Sequence, residues 1–500
     1  MIATVVVKVV FCVYVITPTI ESYWGAVGSM VLGQWTALEW LALVEHELLL
    51  FAAVFFLVGA LDELAMDGAW AWLKLTGRAR SWRIARGHAR DRPLAGPAAV
   101  LIPAWHEAHI VEFTIAHALA AWPQAELRIY VGCYLNDPAT LEAVMRGSGG
   151  DARARAVVHG RHGPSTKADC LNRLYCALET DEGRRGRDFR LVVLQDAEDM
   201  VDPAALGLLD GAIDEADFVQ LPVLPEPQRR SRWIGSHYCE EFAEAHGKAM
   251  VVRGALGAAL PAAGVGCGFA RPMLGKIASQ LDHAGPFSVE SLTEDYELGL
   301  RIKAAGGRSR FLRVRGEDGQ LIATRACFPA RTDYAVRQKA RWVHGIALQG
   351  WDRLGWSGGP GEWWMRLRDR RGPLTALVLF CGYVMLGLGA VLWLAGAIGV
   401  TRPWQTDPLL LVLLAVNFVS FVWRAAMRFA FTAREYGWRE GMRAVARIPV
   451  ANTIAIMAGR RALFAYARTL RGTAAQWDKT HHHAHPAAMA DARSAARLAA

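Results

Sequence analysis

Apolar and polar positions fall into blocks along this chain. Residues 48–61 (LLLFAAVFFLVGAL) carry no charge, and with their flanks they reach the roughly 20 residues a helix needs to cross a bilayer, which predicts a span over 44–63. A second uncharged stretch predicts a span over 373–400. After a TRPWQTDP turn, LLLVLLAVNFVSFVW predicts a third over 408–424. Residues 448–470 mix an apolar face with basic residues and fit either a poor span or a helix lying in the interface. The central Gly459-Arg460-Arg461 is costly in hydrocarbon and favours the interfacial choice.

Between the first two spans the pattern changes. Short apolar runs at 98–104, 127–134, 189–196 and 217–223 read as strands, and helical periods follow at 107–121, 166–179 and 203–214. Continuous apolar strands separated by helices predict an α/β domain over 95–370, with a mainly parallel sheet covered by helices on both faces. Ligands in such sheets sit at the carboxyl ends of the strands. Residues 64–94 read as a basic linker and 471–500 as a solvated tail, whose HHHAHP run binds metal only adventitiously. The extension 1–43 begins with a short apolar run holding Lys8. It fits a signal peptide lacking a clear cleavage site, or added sequence ahead of a start at Met30. No internal repeat is visible.

Composition agrees with a membrane protein carrying a globular domain. Of 500 residues, 53% are hydrophobic and 21% charged, with a mean hydropathy of +0.16, which excludes disorder and a small disulfide scaffold. The net charge is 56 − 47 = +9, from 8 Lys and 48 Arg against the acids. The arginines cluster beside the spans (Arg78 to Arg92, Arg366 to Arg371, Arg424 to Arg447), which puts those ends and the domain between them in the cytoplasm. They form no stripe interleaved with aromatics, so nucleic acid is not an expected partner. The eight cysteines show no CxxC pair and read as reduced, buried thiols.

Candidate chemistry sits at strand ends and helix starts. Gln195-Asp196-Ala197-Glu198-Asp199 follows the third strand, and three acids in four residues repel unless they share a cation such as Mg²⁺ or Mn²⁺. The plainer reading is a solvated turn capping the helix that starts at Pro203. Thr293-Glu294-Asp295 opens a helical pattern; acids there suit the helix dipole, or one serves as general base. In Arg337-Gln338-Lys339-Ala340-Arg341-Trp342, the residues 338, 341 and 342 share a helix face, offering a guanidinium to a diphosphate and an indole to a sugar ring. A basic interfacial helix explains the same run. Lys167 follows Gly163-Pro164 at a helix start suited to an anion. The first strand ends in Trp105-His106-Glu107, an aromatic and a carboxylate.

Taken in order, PAWHE, TKADCLN, QDAED, TED and QKARW resemble the motifs of family 2 glycosyltransferases, inverting enzymes of the GT-A fold that include cellulose, chitin and hyaluronan synthases. The resemblance covers about 98–350. WHEAH, GPSTKADCLN, QDAEDMVDP, GCGFARP and a late WDKT look like the phage-adsorption protein B subgroup, membrane glycosyltransferases that make a surface glycan. The resemblance implies that Pro103, Trp105 and Glu107 border the base and ribose of a nucleoside-diphosphate sugar, with Asn136 and Asp137 beside them. It implies that Lys167 and Asn172 hold the diphosphate and that Asp196 and Glu198 take the two acidic DxD positions. Glu198 stands where Asp is usual, so Glu198 or Asp199 supplies the second ligand to Mg²⁺ or Mn²⁺. Asp295, next to Glu294, would be the catalytic base. Gln338, Arg341 and Trp342 would bind the acceptor end and diphosphate, with Gly268 and Arg271 in an acceptor-facing loop.

The function so implied is transfer of a sugar, from a UDP-sugar, to a growing surface or secreted polysaccharide at the cytoplasmic face of the inner membrane. The alternatives are single addition to a lipid-linked acceptor, or an idle component of an envelope export or receptor system. With few spans, an envelope export partner or an oligomer is expected. Better-known relatives of the subgroup carry a C-terminal domain that senses a cyclic dinucleotide. From the short stretch after Trp477, regulation by that route is not expected unless a separate protein supplies it.

Overall fold

The computed structural model describes residues 37–281, 284–399 and 408–472. The start of the N-terminal extension, the TRPWQTDP turn up to its final Pro408, and the histidine tail lie outside them. By packing, the described residues within 55–380 and 414–500 form one unit and those within 1–54 and 381–413 another. Everything below concerns the first, apart from the helices that run on into the second.

Helix α1 spans Ala37–Leu75 and is followed by strand β1 (Ala98–Pro103), α2 (Val111–Ala121), β2 (Leu127–Tyr134), α3 (Pro138–Ser148), β3 (Ala154–His159), α4 (Lys167–Arg185) and β4 (Leu191–Leu194). Then come α5 (Ala205–Ala212), β5 (Phe218–Gln220), β6 (Cys267–Ala270), α6 (Glu294–Ala304), β7 (Ser309–Phe311) and α7 (Thr332–Trp342). The chain continues through α8 (Gly372–Ala397), α9 (Pro408–Tyr436) and α10 (Ile448–Leu470), with shorter elements between. The central sheet has the order β3-β2-β1-β4-β6-β5-β7, and β6 alone runs against its neighbours. This is the mainly parallel α/β sheet expected from the apolar runs.

The alternation of side chains along a strand explains why both faces are covered. On β1, Ala98, Val100 and Ile102 pack into one apolar cluster with α2 and α5, while Ala99 and Leu101 pack into another with α4. Local chemistry sets the helix ends. Asp137 caps α3, accepting from the Thr140 N–H at 3.3 Å, with Pro138 in the first turn. Thr166 caps α4 in the same manner at 3.2 Å, and Gly186 in the left-handed region closes it. The apolar run 217–223 splits in two because Pro222 has no N–H to donate. Its second half, Val223–Pro225, pairs with Thr324–Ala326 instead.

Among the described residues, three helices are long and apolar enough to cross a membrane: Trp40–Leu75, Gly372–Ala397 and Pro408–Tyr436. The first and third outrun the apolar stretches that predict them. Residues 64–75, read above as linker, are helical, since nothing breaks the helix before Gly77. At about 1.5 Å per residue, α1 also exceeds a bilayer core of roughly 30 Å, and its later turns carry acids. Those acids join a ring of ion pairs. Asp62 meets Arg368 and Arg371 and accepts from the Trp364 indole at 2.6 Å. Glu63 holds Arg368 at 2.7 Å and Arg424 at 3.2 Å. Asp67 holds Lys248 at 2.5 Å and accepts from the Trp423 indole at 2.8 Å, and Glu244 holds both Lys248 and Arg424 at 2.7 Å. Helix α10 packs its Ala458, Ala462 and Tyr466 against Ala340 and Leu348, so it rests on the end of α7.

Candidate active site

The carboxyl ends of β1, β2 and β4, the starts of α4 and α6, and the end of α7 surround one cleft. Pro103, Trp105 and Glu107 line it from β1, Lys167 from α4, and Asp196, Glu198 and Asp199 from the turn after β4. Thr293, Glu294 and Asp295 line it from α6, and Gln338, Arg341 and Trp342 from α7. Five sequence segments far apart in the chain therefore meet in one place.

On the β1 side, Trp105 stacks on His106 at 4.1 Å and meets Tyr134 edge-on at 5.0 Å. Gly163 lies flat against the other part of this wall, because a Cβ there would fall 2.5 Å from the Trp105 ring. Asn136 fixes that approach through paired hydrogen bonds with the Gly163 backbone at 2.8 and 2.9 Å. The wall is thus a rigid aromatic slot, built from three loops.

At the centre, the Lys167 ammonium lies 2.7 Å from Asp196 and 3.8 Å from Glu294. These acids, with Asp295, raise its pKa against the effect of burial. Burial pushes Asp295 above the usual carboxylate range, although Lys167 opposes the shift. Glu294 rises too, from burial and then from the charge of Asp295. Gly264, in the left-handed region at φ +76°, touches this group: a Cβ at that position would lie 2.2 Å from the Asp295 Oδ2. Three residues that line the cleft each carry a buried polar atom with no protein partner, namely Thr293 Oγ1, Gln338 Oε1 and Arg341 Nε. Such groups cost free energy unless something polar meets them.

Among the described residues, no three His, Cys, Asp or Glu side chains converge as a ready-made metal centre. Mg²⁺ ordinarily takes one or two carboxylates and completes its shell with substrate phosphates and water. Asp196 and Glu198 fit that donor set. Asp199 fits it less well, since its Oδ2 accepts the Asp196 N–H at 2.7 Å and its side chain is buried, its pKa raised by that burial and by Asp196 and Glu198.

Five residues named from the resemblance lie outside the cleft lining, the first being Asn136, which is held on the Gly163 backbone. Asp137 spends its carboxylate on the His106 N–H at 2.6 Å and on the α3 cap. Asn172 is buried, bonded to the Phe287 backbone at 2.8 and 3.0 Å. Gly268 sits mid-strand between Val193 and Val219 with Leu191 against it. Arg271 does not face an acceptor, because β6 runs antiparallel. Cys267 opposes Leu194 near the cleft, whereas Ala270 opposes Leu191, so Arg271 leaves at the far edge of the sheet and pairs with Glu182 at 2.7 Å.

Sequence reasoning noted Gly163 only as part of the turn before Lys167, and it passed over Gly264 and the aromatic wall that gathers around Trp342. In that wall Phe328 stacks on Tyr238 at 4.5 Å and lies 5.1 Å from Phe242, with Trp342 6.3 Å from Phe242. The signal available was the glycine pair in Gly264-Val265-Gly266, both with positive φ.

A family model described as glycosyltransferase like family 2 matches residues 95–345. Bacteriophage adsorption protein B of Escherichia coli K12 is 31% identical over 468 residues, covering 88% of this chain and 62% of that protein. Bacteriophage N4 adsorption protein B of Escherichia coli O157:H7 matches to the same extent. The chain thus spans about 62% of the length of these curated relatives. Among solved structures, the mannosyltransferase PcManGT from Pyrobaculum calidifontis, in complex with GDP-Man and Mn²⁺, is similar at a TM-score of 0.47 and 16% identity, over 81% of this chain and 99% of that one. Glucosyl-3-phosphoglycerate synthase from Mycobacterium tuberculosis, with Mg²⁺ and UDP, is similar at 0.33 and 16%, over 54% and 85%. The match runs through half of the 500 residues and takes in every segment that lines the cleft from β1 to α7, and the chain belongs to glycosyltransferase family 2.

Proposed function

We propose that the chain is a membrane-bound, inverting glycosyltransferase that moves a sugar from a nucleoside-diphosphate sugar, a UDP-sugar by preference, onto a growing surface or secreted polysaccharide. The catalytic domain works on the cytoplasmic side of the inner membrane, and an envelope partner handles export. The observation that carries this reading is the gathering of Lys167, Asp196, Asp295 and Arg341 around one cleft closed by an aromatic slot.

In this reading the Trp105 slot receives the base, and Arg341 and Lys167 hold the diphosphate. Asp196 and Glu198 would hold Mg²⁺ or Mn²⁺, as GDP-Man and Mn²⁺ or UDP and Mg²⁺ accompany the solved relatives. The cation would supply positive charge against the departing diphosphate. Phe328, Phe242 and Trp342 give flat apolar faces to sugar rings of the acceptor. Asp295, its pKa raised by burial, accepts the proton of an acceptor hydroxyl. The hydroxyl oxygen then bonds the anomeric carbon as the bond from that carbon to phosphate breaks, and the sugar inverts. Arg341 and Lys167 stabilise the charge that collects on the nucleoside diphosphate.

The test supplies detergent-solubilised membranes with a panel of UDP-sugars and Mg²⁺ or Mn²⁺, reading UDP release and product size. A long polymer is expected with one donor. Asp295→Asn should lower turnover by at least about 10³-fold while the protein stays folded and inserted, at the upper end of general-base effects. Unchanged turnover in that variant would refute the base assignment, and a single lipid-soluble product would replace polymerisation by single addition.

A further inference from the structure

A second charged site lies away from the cleft, where the C-terminal turns of α1 and α9 meet the small sheet formed by Trp82–Ile84 and Val314–Gly316. Arg313 and Arg315 both donate to the same oxygen of Glu435, at 2.6 and 2.5 Å. Arg434 lies 4.0 Å from that oxygen, and Lys74 stands within the field of Arg313, Arg315 and Arg434 while donating to the Ala79 carbonyl at 2.5 Å. Arg313, Arg315 and Arg434 thus face one carboxylate, and Lys74 adds a fourth cation beside the arginines. Arg313 and Arg315 are 9% and 8% exposed, so water does not screen them freely, and the Arg313 Nε has no partner. Burial and the neighbouring Arg315 and Arg434 pull the Arg313 pKa down to about 10, against the effect of Glu435.

The ring around Asp62, Glu63 and Asp67 shows how this chain treats charges it means to hold internally. There four acids (Asp62, Glu63, Asp67, Glu244) meet four bases (Lys248, Arg368, Arg371, Arg424). The cluster at Glu435 lacks that balance by three charges. We infer that Lys74, Arg313, Arg315 and Arg434 form a binding site for a phosphorylated anion, separate from the cleft. The two buried guanidinium groups are fixed by Glu435, Ser81 and the Gly319 carbonyl, and the donors they keep, with the more exposed Arg434 and Lys74, would meet phosphate oxygens, the ligand Arg suits best.

A lipid headgroup and a soluble phosphate share this chemistry. Arg434 lies ten residues beyond Arg424, about 15 Å along the helix, whereas the headgroup layer is roughly 5–7 Å deep. Position therefore favours a soluble ligand.

The experiment titrates the full chain, in detergent, with inorganic pyrophosphate and counts sites by calorimetry. Lys74→Gln with Arg434→Gln removes two cations and leaves the short Arg313 and Arg315 bridges to Glu435 intact. The number of pyrophosphate sites should fall by one, and the anion-free thermal midpoint should stay level or rise as repulsion is relieved. A parallel arm in nanodiscs compares phosphatidylglycerol with phosphatidylcholine; protection by phosphatidylglycerol, lost in the variant, assigns the site to a headgroup. An unchanged site number together with no variant-sensitive lipid protection would overturn the proposal. So would an anion-free midpoint that falls, since that marks the four cations as structural.

Discussion

The cleft and the ion-pair ring hold similar numbers of charges and treat them in opposite ways. In the ring every acid has a base within bonding distance, and Trp364 and Trp423 complete the set. In the cleft, six lining carboxylates (Glu107, Asp196, Glu198, Asp199, Glu294, Asp295) stand against Lys167 and Arg341. Matched charge is architecture: it fixes the later turns of α1 and α9 and the start of α8 to the catalytic domain. Unmatched charge destabilises the protein by itself and is offset when a cationic or hydrogen-bonding ligand arrives, the usual stability cost of an active site.

Substitutions can break this contrast. The largest effect is expected at Gly264, which belongs to neither charge set. Gly264→Ala drives a methyl into the space of the Asp295 carboxylate and strains a left-handed residue. If Asp295 is the base proposed above, turnover should drop by about 10²-fold or more, with KM changed far less. Steady-state kinetics of the purified variant checks this.

Next comes the ring. Lys248→Met leaves Asp67 and Glu244 without their ammonium, and removal of one partner from a buried pair costs about 3–5 kcal/mol. A lower thermal midpoint with normal turnover per folded molecule is expected. In the cleft the sign should reverse. Glu294→Gln relieves the buried repulsion with Asp295 and should raise the ligand-free midpoint by a few degrees while impairing transfer. If both substitutions destabilise alike, the distinction between the two regions fails.

A smaller effect concerns pH. His237 and His246 are buried, and burial lowers the pKa of each to about 4. Their unfolded forms titrate near 6.5, so between about 6.5 and 4 the unfolded chain binds more protons than the native one. Stability contributed by the neutral rings is present above pH 6.5 and is lost as pH falls toward 4. The His246 Nδ1 accepts the Val223 N–H at 2.9 Å, and His246→Asn should flatten the acid limb of a midpoint-against-pH curve.

Much of the site was legible because its motifs are short and local. Pro103, Trp105, Lys167, Asp196, Asp295 and Arg341 each sit at the end of an element that its own residues predict, and strand ends on a parallel sheet share one edge. Strand direction was not legible. Nothing in Gly266-Cys267-Gly268-Phe269 announces that β6 runs backwards, so Arg271 was assigned to the wrong edge. Close approaches were hidden for a similar reason. Gly163 beside Trp105 and Gly264 beside Asp295 depend on segments far apart in sequence. Helices α1 and α9 run on past the apolar stretches that predict the spans because Asp62, Asp67 and Arg424 continue them by finding partners.

Just past Trp342, the chain makes a wide π-helical turn over Val343–Gln349, where Gly345 lies against Thr293 with no room for a Cβ. A π turn holds one residue more than a regular helical segment would use. That extra residue acts as a phase setting. Each residue turns a helix by about 100°, so its deletion would rotate everything that follows, including Trp351 and the Asp352 that receives the Tyr466 hydroxyl, away from its present bearing relative to Trp342. Insertions and deletions in these seven residues should consequently be far less tolerated than substitutions, although none of them need touch a substrate.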